Sequence, residues 1–388
     1  MANVEFAQVV SHGCGMDIHK EVVVATVRTP ESQETRESKT FTSSLTEMGE
    51  WLKSLKVTHV AMESTGVYWK PIYNVQESYI PNIWIVNARH IKNVPGHKTD
   101  KMDSEWICKL LMAGLLRNSF IPPKSQRELR DLTRYKRKLI QSVSADKNRV
   151  IRVLEDGNIK LSSVLSSTSG VTAEKLISLL CSGRQITMDD VLSVYHKRIQ
   201  ASPDDILEAC TGTLTRHQIF MLQLIQSNIS STKEKIAVLD QQIRMMLEPY
   251  DNVLEALAEI PGIERKVAED LVAEIGLDMG KFPSEKHLAS WGGICPGNNE
   301  SAGKKSSRTN HGNKQTKAVI TETAWAASRT NNTFFSEKYH RIAARRGKKR
   351  ALIAIGHAQL VAVYIILSTG ATYKELGDMY VPARVKAK

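Results

Sequence analysis

The sequence predicts an α/β first third followed by two mostly helical segments. Three observations carry this. Residues 12–120 alternate short β-branched runs with amphipathic stretches. Pro122 and Pro123 then interrupt the chain, and beyond them helical periodicity replaces the strands. From Asp251 a helix–turn–helix pattern leads into a loop rich in Gly, Ser, Asn and Lys over 292–314. A length of 388 residues suits two or three domains, and the boundaries fall at 1–121, 122–250 and 251–388.

In the first segment, strands are expected at 13–19, 22–27, weakly at 39–42, then at 57–62 and 83–86. Helices are expected at 45–55, 67–76 and 100–116; the first places Leu45, Met48, Trp51, Leu52 and Leu55 on one side. Three strands, helix, strand, helix, strand, helix is the order of a ribonuclease H-like domain. In the middle segment two long helices are expected, at 126–154 and 215–247. The second carries Ile219, Leu222, Ile225, Ile229, Ile236, Leu239, Ile243 and Met246, a spacing that suits an antiparallel hairpin or coiled coil and self-association. Helices at 315–329 and 349–368 follow the loop of the last segment.

Composition narrows the function. Hydrophobic residues make up 41%, enough for real cores. No apolar run is expected to reach the roughly 18 residues of a membrane span, and the N-terminus lacks the pattern of a secretory leader. Five scattered cysteines, none in a CxxC pair, argue against a zinc site or a disulfide framework and point to a reducing cytoplasm. The net charge of +12 favours a polyanionic partner.

Four acids stand out by position. Asp17 ends the first strand, in MDIHK, and Glu63 ends the fourth, in MESTGVYW. Asp100 and Asp103 open the last helix of the segment, in HKTDKMDSEW. Residues three apart share a helix face, and the first and fourth strands of a ribonuclease H-like sheet are neighbours. Clustered carboxylates need a cation to stay ionised together. Their hard oxygens suit Mg²⁺, with Mn²⁺ as a substitute. The plainer reading of Asp100 and Asp103 is a helix first turn that favours acids.

MDIHK, MESTGVYW and HKTDKMDSEW, in this order, resemble the DEDD-type transposases of insertion sequences, relatives of which invert pilin genes. The resemblance continues into the C-terminal segment, where the family has a Gly-x-x-Pro loop, a few polar residues and Ser-x-Gly-Lys. Here these are GICP at 293–296 and SAGK at 301–304. The resemblance implies a RuvC-like metal site of Asp17, Glu63, Asp100 and Asp103. It also implies that Ser301 attacks a DNA phosphate and becomes covalently linked to it. Some members carry two adjacent serines; this chain has Glu300 before Ser301. By residue type alone, Ser301 reads as an ordinary loop serine, since serine is common in loops.

Cations mark candidate nucleic-acid surfaces. Lys304, Lys305, Arg308 and Lys314 surround the serine. Arg127, Arg130, Arg134, Arg137 and Arg152 form one stripe of the helix at 126–154, broadened by Lys136, Lys138, Lys147 and Arg149, with almost no acidic compensation beyond Glu128 and Asp131. IPGIER at 260–265 resembles a helix–hairpin–helix turn, in which amides around Gly262 would grip a phosphate, and reads equally as an ordinary helical connection that uses Pro and Gly. Arg341, Arg345, Arg346, Lys348, Lys349 and Arg350 form a third patch.

These residues converge on a DNA recombinase that acts as a dimer or tetramer. The resemblance further implies a structured non-coding guide RNA, a bridge RNA, that pairs with donor and target DNA. The rivals are a metal-dependent nuclease or Holliday-junction resolvase that uses water, and a non-catalytic nucleic-acid-binding protein.

Overall fold

The structure, a computed structural model, describes residues 9–64, 66–87, 100–168, 170–297, 300–301, 304–305 and 308–375. Side chains at 100–102, 300–301 and 304–305 lie outside that description. The chain divides into two compact units, 1–122 and 123–388.

The first unit is built on a five-stranded mixed sheet in the order β3-β2-β1-β4-β5. Strands β1 (Gly13–Ile18), β2 (Val22–Arg28) and β3 (Gln33–Lys39) run antiparallel. Strands β4 (His59–Glu63) and β5 (Asn82–Val86) add in parallel to β1. Helices α1 (Thr42–Ser54), α2 (Trp69–Gln76) and α3 (Asp100–Met112) cover the sheet. The period-2 alternation of strands sends Cys14, Met16, Val60 and Met62 into one core with Leu45, Met48, Trp51 and Leu52 of α1 and Ile72 of α2. Ala61 packs on the opposite face, with Ile107, Leu110 and Leu111 of α3.

The order of strands and helices is the expected one, with two local corrections. The third strand is Gln33–Lys39, not 39–42. Its sequence, QETRESK, is polar on both faces because it is an exposed edge strand, so no apolar alternation marks it. The last helix ends at Met112 rather than 116, with Gly114 following at φ 67°.

The second unit holds the long helices α4 (Lys124–Asp156) and α9 (Arg216–Leu247). They pair antiparallel: Lys136 meets Asp240 at 3.1 Å, Asp146 bonds Asn228, and Asp156 accepts from Gln218 at 2.6 Å. Between them lie α5 (Leu161–Val164), α6 (Val171–Cys181), α7 (Met188–Val194) and α8 (Pro203–Ala209). Reciprocal capping boxes start α7 at Thr187 and Asp190, and α8 at Ser202 and Asp205. These elements and the adjoining ends of α4 and α9 share a core that includes Val150, Leu154, Leu176, Ile206 and Leu222.

The rest of the unit is α10 (Asp251–Ala258), α11 (Arg265–Ile275), α12 (Glu285–Trp291), α13 (Lys314–Ala327), α14 (Phe334–Arg346) and α15 (Lys348–Thr369) around a second core. By length and composition α15 could cross a membrane, contrary to the expectation that no apolar run is that long. Its apolar length has a use inside the fold: Ala351, Ile355, Leu360, Val363 and Ile366 are buried in this core.

Candidate active site

The carboxylates of the first unit are placed by two strand ends and one helix start. Parallel pairing matches Gly13–Met16 of β1 with His59–Met62 of β4. One residue further, Asp17 and Glu63 stand at the ends of neighbouring strands, whose spacing is about 4.8 Å. Asp17 shares a face with Gly13 and Gly15, and Glu63 shares one with Ala61. That face is the one α3 covers.

The absence of side chains at Gly13 and Gly15 brings α3 down onto β1. A Cβ at Gly13 would lie 2.9 Å from Cγ of Met112. One at Gly15 would lie 2.2 Å from the Ser104 carbonyl oxygen and 2.3 Å from the Cys108 nitrogen. The Ser104 hydroxyl lies 2.8 Å from the hydroxyl of Thr26, the β2 partner of Gly15. As β1 advances, its neighbours step back along α3 from Met112 to Ser104. The next residue on this face, Asp17, therefore stands toward the first turn of α3, which Asp100 and Asp103 open.

Asp17 is 16% exposed, and its Oδ2 lies 3.0 Å from Nε2 of His19. Neither Asp17 nor Glu63 is fully buried, so both remain open to solvent and ligand. Their oxygens are the hard donors a Mg²⁺-sized ion requires. Among the described residues no group of three His, Cys, Asp or Glu side chains is close enough to hold an ion. The Asp100 side chain falls outside those residues.

Ser301 lies on a hairpin of the second unit. Strand β6 (Glu300–Ser301) pairs with β7 (Lys304–Lys305), matching Ser301 with Lys304. Nearer the base the arms are joined by Asn310 N–H to Cys295 O at 3.0 Å and Gly297 N–H to Arg308 O at 2.8 Å. The side chains of Ser301, Lys304 and Lys305 lie outside the described residues, while Arg308 and Lys314 are exposed.

The cationic stripe on α4 is corrected by its partners. Arg134 forks onto Glu274 at 2.7 and 2.8 Å. Arg130, 11% exposed, donates to the carbonyls of Ala273 and Glu274 at the end of α11. Burial pushes its guanidinium down to about 10, whereas hydrogen bonds to Glu274 hold Arg134 up. Arg137 pairs with Glu322, Arg149 with Asp146, and Lys136 is 5% exposed beside Asp240. Except for Asp146, the acids that compensate the stripe (Glu274, Glu322 and Asp240) come from other helices, so counting charges along α4 misses them. Lys138 and Arg152 of α4 are exposed.

Gly262, at φ 85°, has a packing reason for being glycine. A Cβ there would lie 2.4 Å from the Thr323 carbonyl oxygen on α13. In the third patch Arg345, Arg346, Lys348, Lys349 and Arg350 are exposed, and Arg341 is half-buried. Arg345 and Arg346 end α14, Gly347 turns the chain at φ 84°, and Lys348, Lys349 and Arg350 open α15. Arg346, Lys348, Lys349 and Arg350 have no ion pair among the described residues, and the first turn of α15 contains no acid.

Comparison with known proteins gives the class first. A family model described as a transposase matches residues 14–159, which contain all four acids, and a second, for the IS116/IS110/IS902 transposase family, matches residues 254–340, which contain Ser301. The chain thus carries two domains of the IS110-family transposases.

The pilin gene-inverting protein of Moraxella bovis is 29% identical over 156 residues, 38% of this chain and 48% of the relative. Its counterpart in Moraxella lacunata is 30% identical over 156 residues, with the same coverage. An insertion element IS110 protein of 43.6 kDa from Streptomyces coelicolor is 26% identical over 170 residues, 42% of this chain and 40% of the relative. The matches thus span less than half the length of these relatives.

Proposed function

We propose that this chain is the recombinase of an insertion element, cutting and rejoining DNA through a serine-linked intermediate. The observation that carries the reading is the placement of Asp17 and Glu63 at adjacent strand ends, toward the turn that Asp100 and Asp103 open. In this reading the first unit is a RuvC-like domain, and the four acids hold Mg²⁺, or Mn²⁺ in its place. Held by these residues, the ion would supply Lewis-acid stabilisation of the phosphate.

The chain's own residues do the rest. The Ser301 oxygen attacks phosphorus and gives up its proton, and the bond from phosphorus to a deoxyribose oxygen breaks. That oxygen leaves as a hydroxyl once protonated. Rejoining reverses the step with a second strand's hydroxyl, so the energy of the broken ester is kept and no nucleotide cofactor is consumed. Arg308 and Lys314 near the hairpin, with Lys138, Arg152 and the corner at Arg345, Arg346, Lys348 and Lys349, neutralise phosphates.

Strand exchange between two duplexes implies at least a dimer. A structured guide RNA is part of the proposal, because the exposed cations suit a backbone more than a base edge. The test is cleavage of a supercoiled plasmid carrying the chain's own gene with its flanking DNA. Ser301→Ala should bind this DNA and leave it uncut. A variant that still cuts would mean that water is the nucleophile, as in a junction resolvase. Sequencing the RNA that co-purifies tests guidance: one discrete structured species is expected, and random host RNA would remove that part of the proposal.

A further inference from the structure

We propose that Glu274 and Asn313 are positioning residues that set the angle of the serine hairpin; this rests on the reading of Ser301 as nucleophile. Glu274 lies in the last turn of α11 and is 2% exposed. A carboxylate so buried must be compensated. Arg134 forks onto both its oxygens from α4. A further hydrogen bond is specific: Nδ2 of Asn313 donates to Oε2 at 2.8 Å.

Asn313 is where the hairpin returns to the helical core. Its Oδ1 accepts from the Gln315 and Thr316 amides at 2.9 and 3.1 Å, capping α13. Its own amide donates to the Trp291 carbonyl at 2.8 Å, on the opposite arm of the hairpin base. The two arms pass here with almost no clearance: a Cβ on Gly312 would lie 2.3 Å from the Gly293 nitrogen. The Trp291 ring sits 5.9 Å from the Arg130 guanidinium. One buried carboxylate, held from α4, thus grips the root of the loop whose tip carries Ser301. Ser301 lies in the hairpin that leaves this root, and misplacing a nucleophile by about 1 Å can cost roughly a hundredfold in rate.

Three variants separate positioning from folding. Asn313→Ser keeps a good cap for α13 but cannot reach Glu274. Asn313→Asp also caps, but sets a second carboxylate against Glu274. Glu274→Gln combined with Asn313→Asp restores the bond to residue 313 with donor and acceptor exchanged and the total charge unchanged, but loses the Arg134 Nη2 bond to the same atom. The readout is the single-turnover rate of covalent protein–DNA adduct formation on the same supercoiled plasmid, with DNA half-saturation and melting temperature measured in parallel.

Asn313→Ser should slow the adduct about tenfold with half-saturation within about twofold of wild type, Asn313→Asp should slow it more, and the double variant should regain about half of that loss on a logarithmic scale. A wild-type rate in Asn313→Ser overturns the inference. Ser301→Ala is the control for the serine reading itself. If it still forms adduct, the serine assignment falls whatever Asn313 does; if it forms none and Asn313→Ser runs at the wild-type rate, only the positioning role is lost.

Discussion

Gly15 and Ser104 meet backbone to backbone: a Cβ on Gly15 would lie 2.2 Å from the Ser104 carbonyl oxygen. The neighbour is main chain, so no side-chain rotation can relieve the clash. Gly15→Ala must push α3 away from β1, which overpacks a closed core at a cost of about 1–3 kcal/mol. The expected result is a lower melting temperature together with reduced cleavage, since α3 carries Asp100 and Asp103. Unchanged stability would show that the helix does not sit this close.

Asp17→Asn and Glu63→Gln keep shape and remove charge at the strand ends. Each should lower strand cleavage by about a hundredfold or more while leaving DNA affinity near wild type. Chelation of divalent ions should stop the wild-type reaction, and added Mg²⁺ or Mn²⁺ should restore it. Cleavage that persists in Asp17→Asn would remove this carboxylate from the reaction.

The corner between α14 and α15 concentrates cations where a helix N-terminus already carries positive partial charge. Replacing Lys348 and Lys349 by alanine relieves that repulsion, while replacing Arg345 and Arg346 removes charges that suit the C-terminus of α14, so for the fourfold variant the melting temperature should hold. DNA affinity should fall, and the slope of log affinity against log salt should flatten by about 0.9 for each phosphate that the variant no longer neutralises. An unchanged slope would place the DNA elsewhere.

Asp270 predicts a pH effect. Burial raises its carboxyl to about 6, against the lowering influence of Lys136 and Arg137 and with Glu269 and Glu274 adding to the rise. The folded state then holds its proton at pH values where the unfolded chain has released it. Stability from this group therefore falls as pH rises from about 4 to about 6, and the cost persists above that. Asp270→Asn should match wild type near pH 4 and exceed it by about 1–3 kcal/mol at pH 7. Denaturant titrations at the two pH values test this, and equal gaps at both would refute it.

The legible parts of the site are those with a local signature. The acids stand beside apolar strands and at a helix start, so period and position single them out before any tertiary neighbour is known. Gly13 and Gly15 carry a signal too, small residues inside a strand, which marks a close approach without saying to what. Glu274 and Asn313 carry none. A glutamate in an amphipathic helix and an asparagine before a helix are ordinary, and what distinguishes Glu274 is an arginine fork from 140 residues away.

By itself the sequence determined the strand and helix order, the four acids at element ends, the serine loop and the basic corner. Each is written in spacing along the chain, and spacing is what strand and helix periods convert into place. Which cations face solvent depends instead on how the helices pack. Arg130 and Arg134 are bound by Glu274, Lys136 lies beside Asp240, and Gly262 lies against Thr323. These pairings depend on which helices pack together. Burial of apolar faces drives that packing and is non-directional, so it leaves no mark on the polar residues that come to be paired by it.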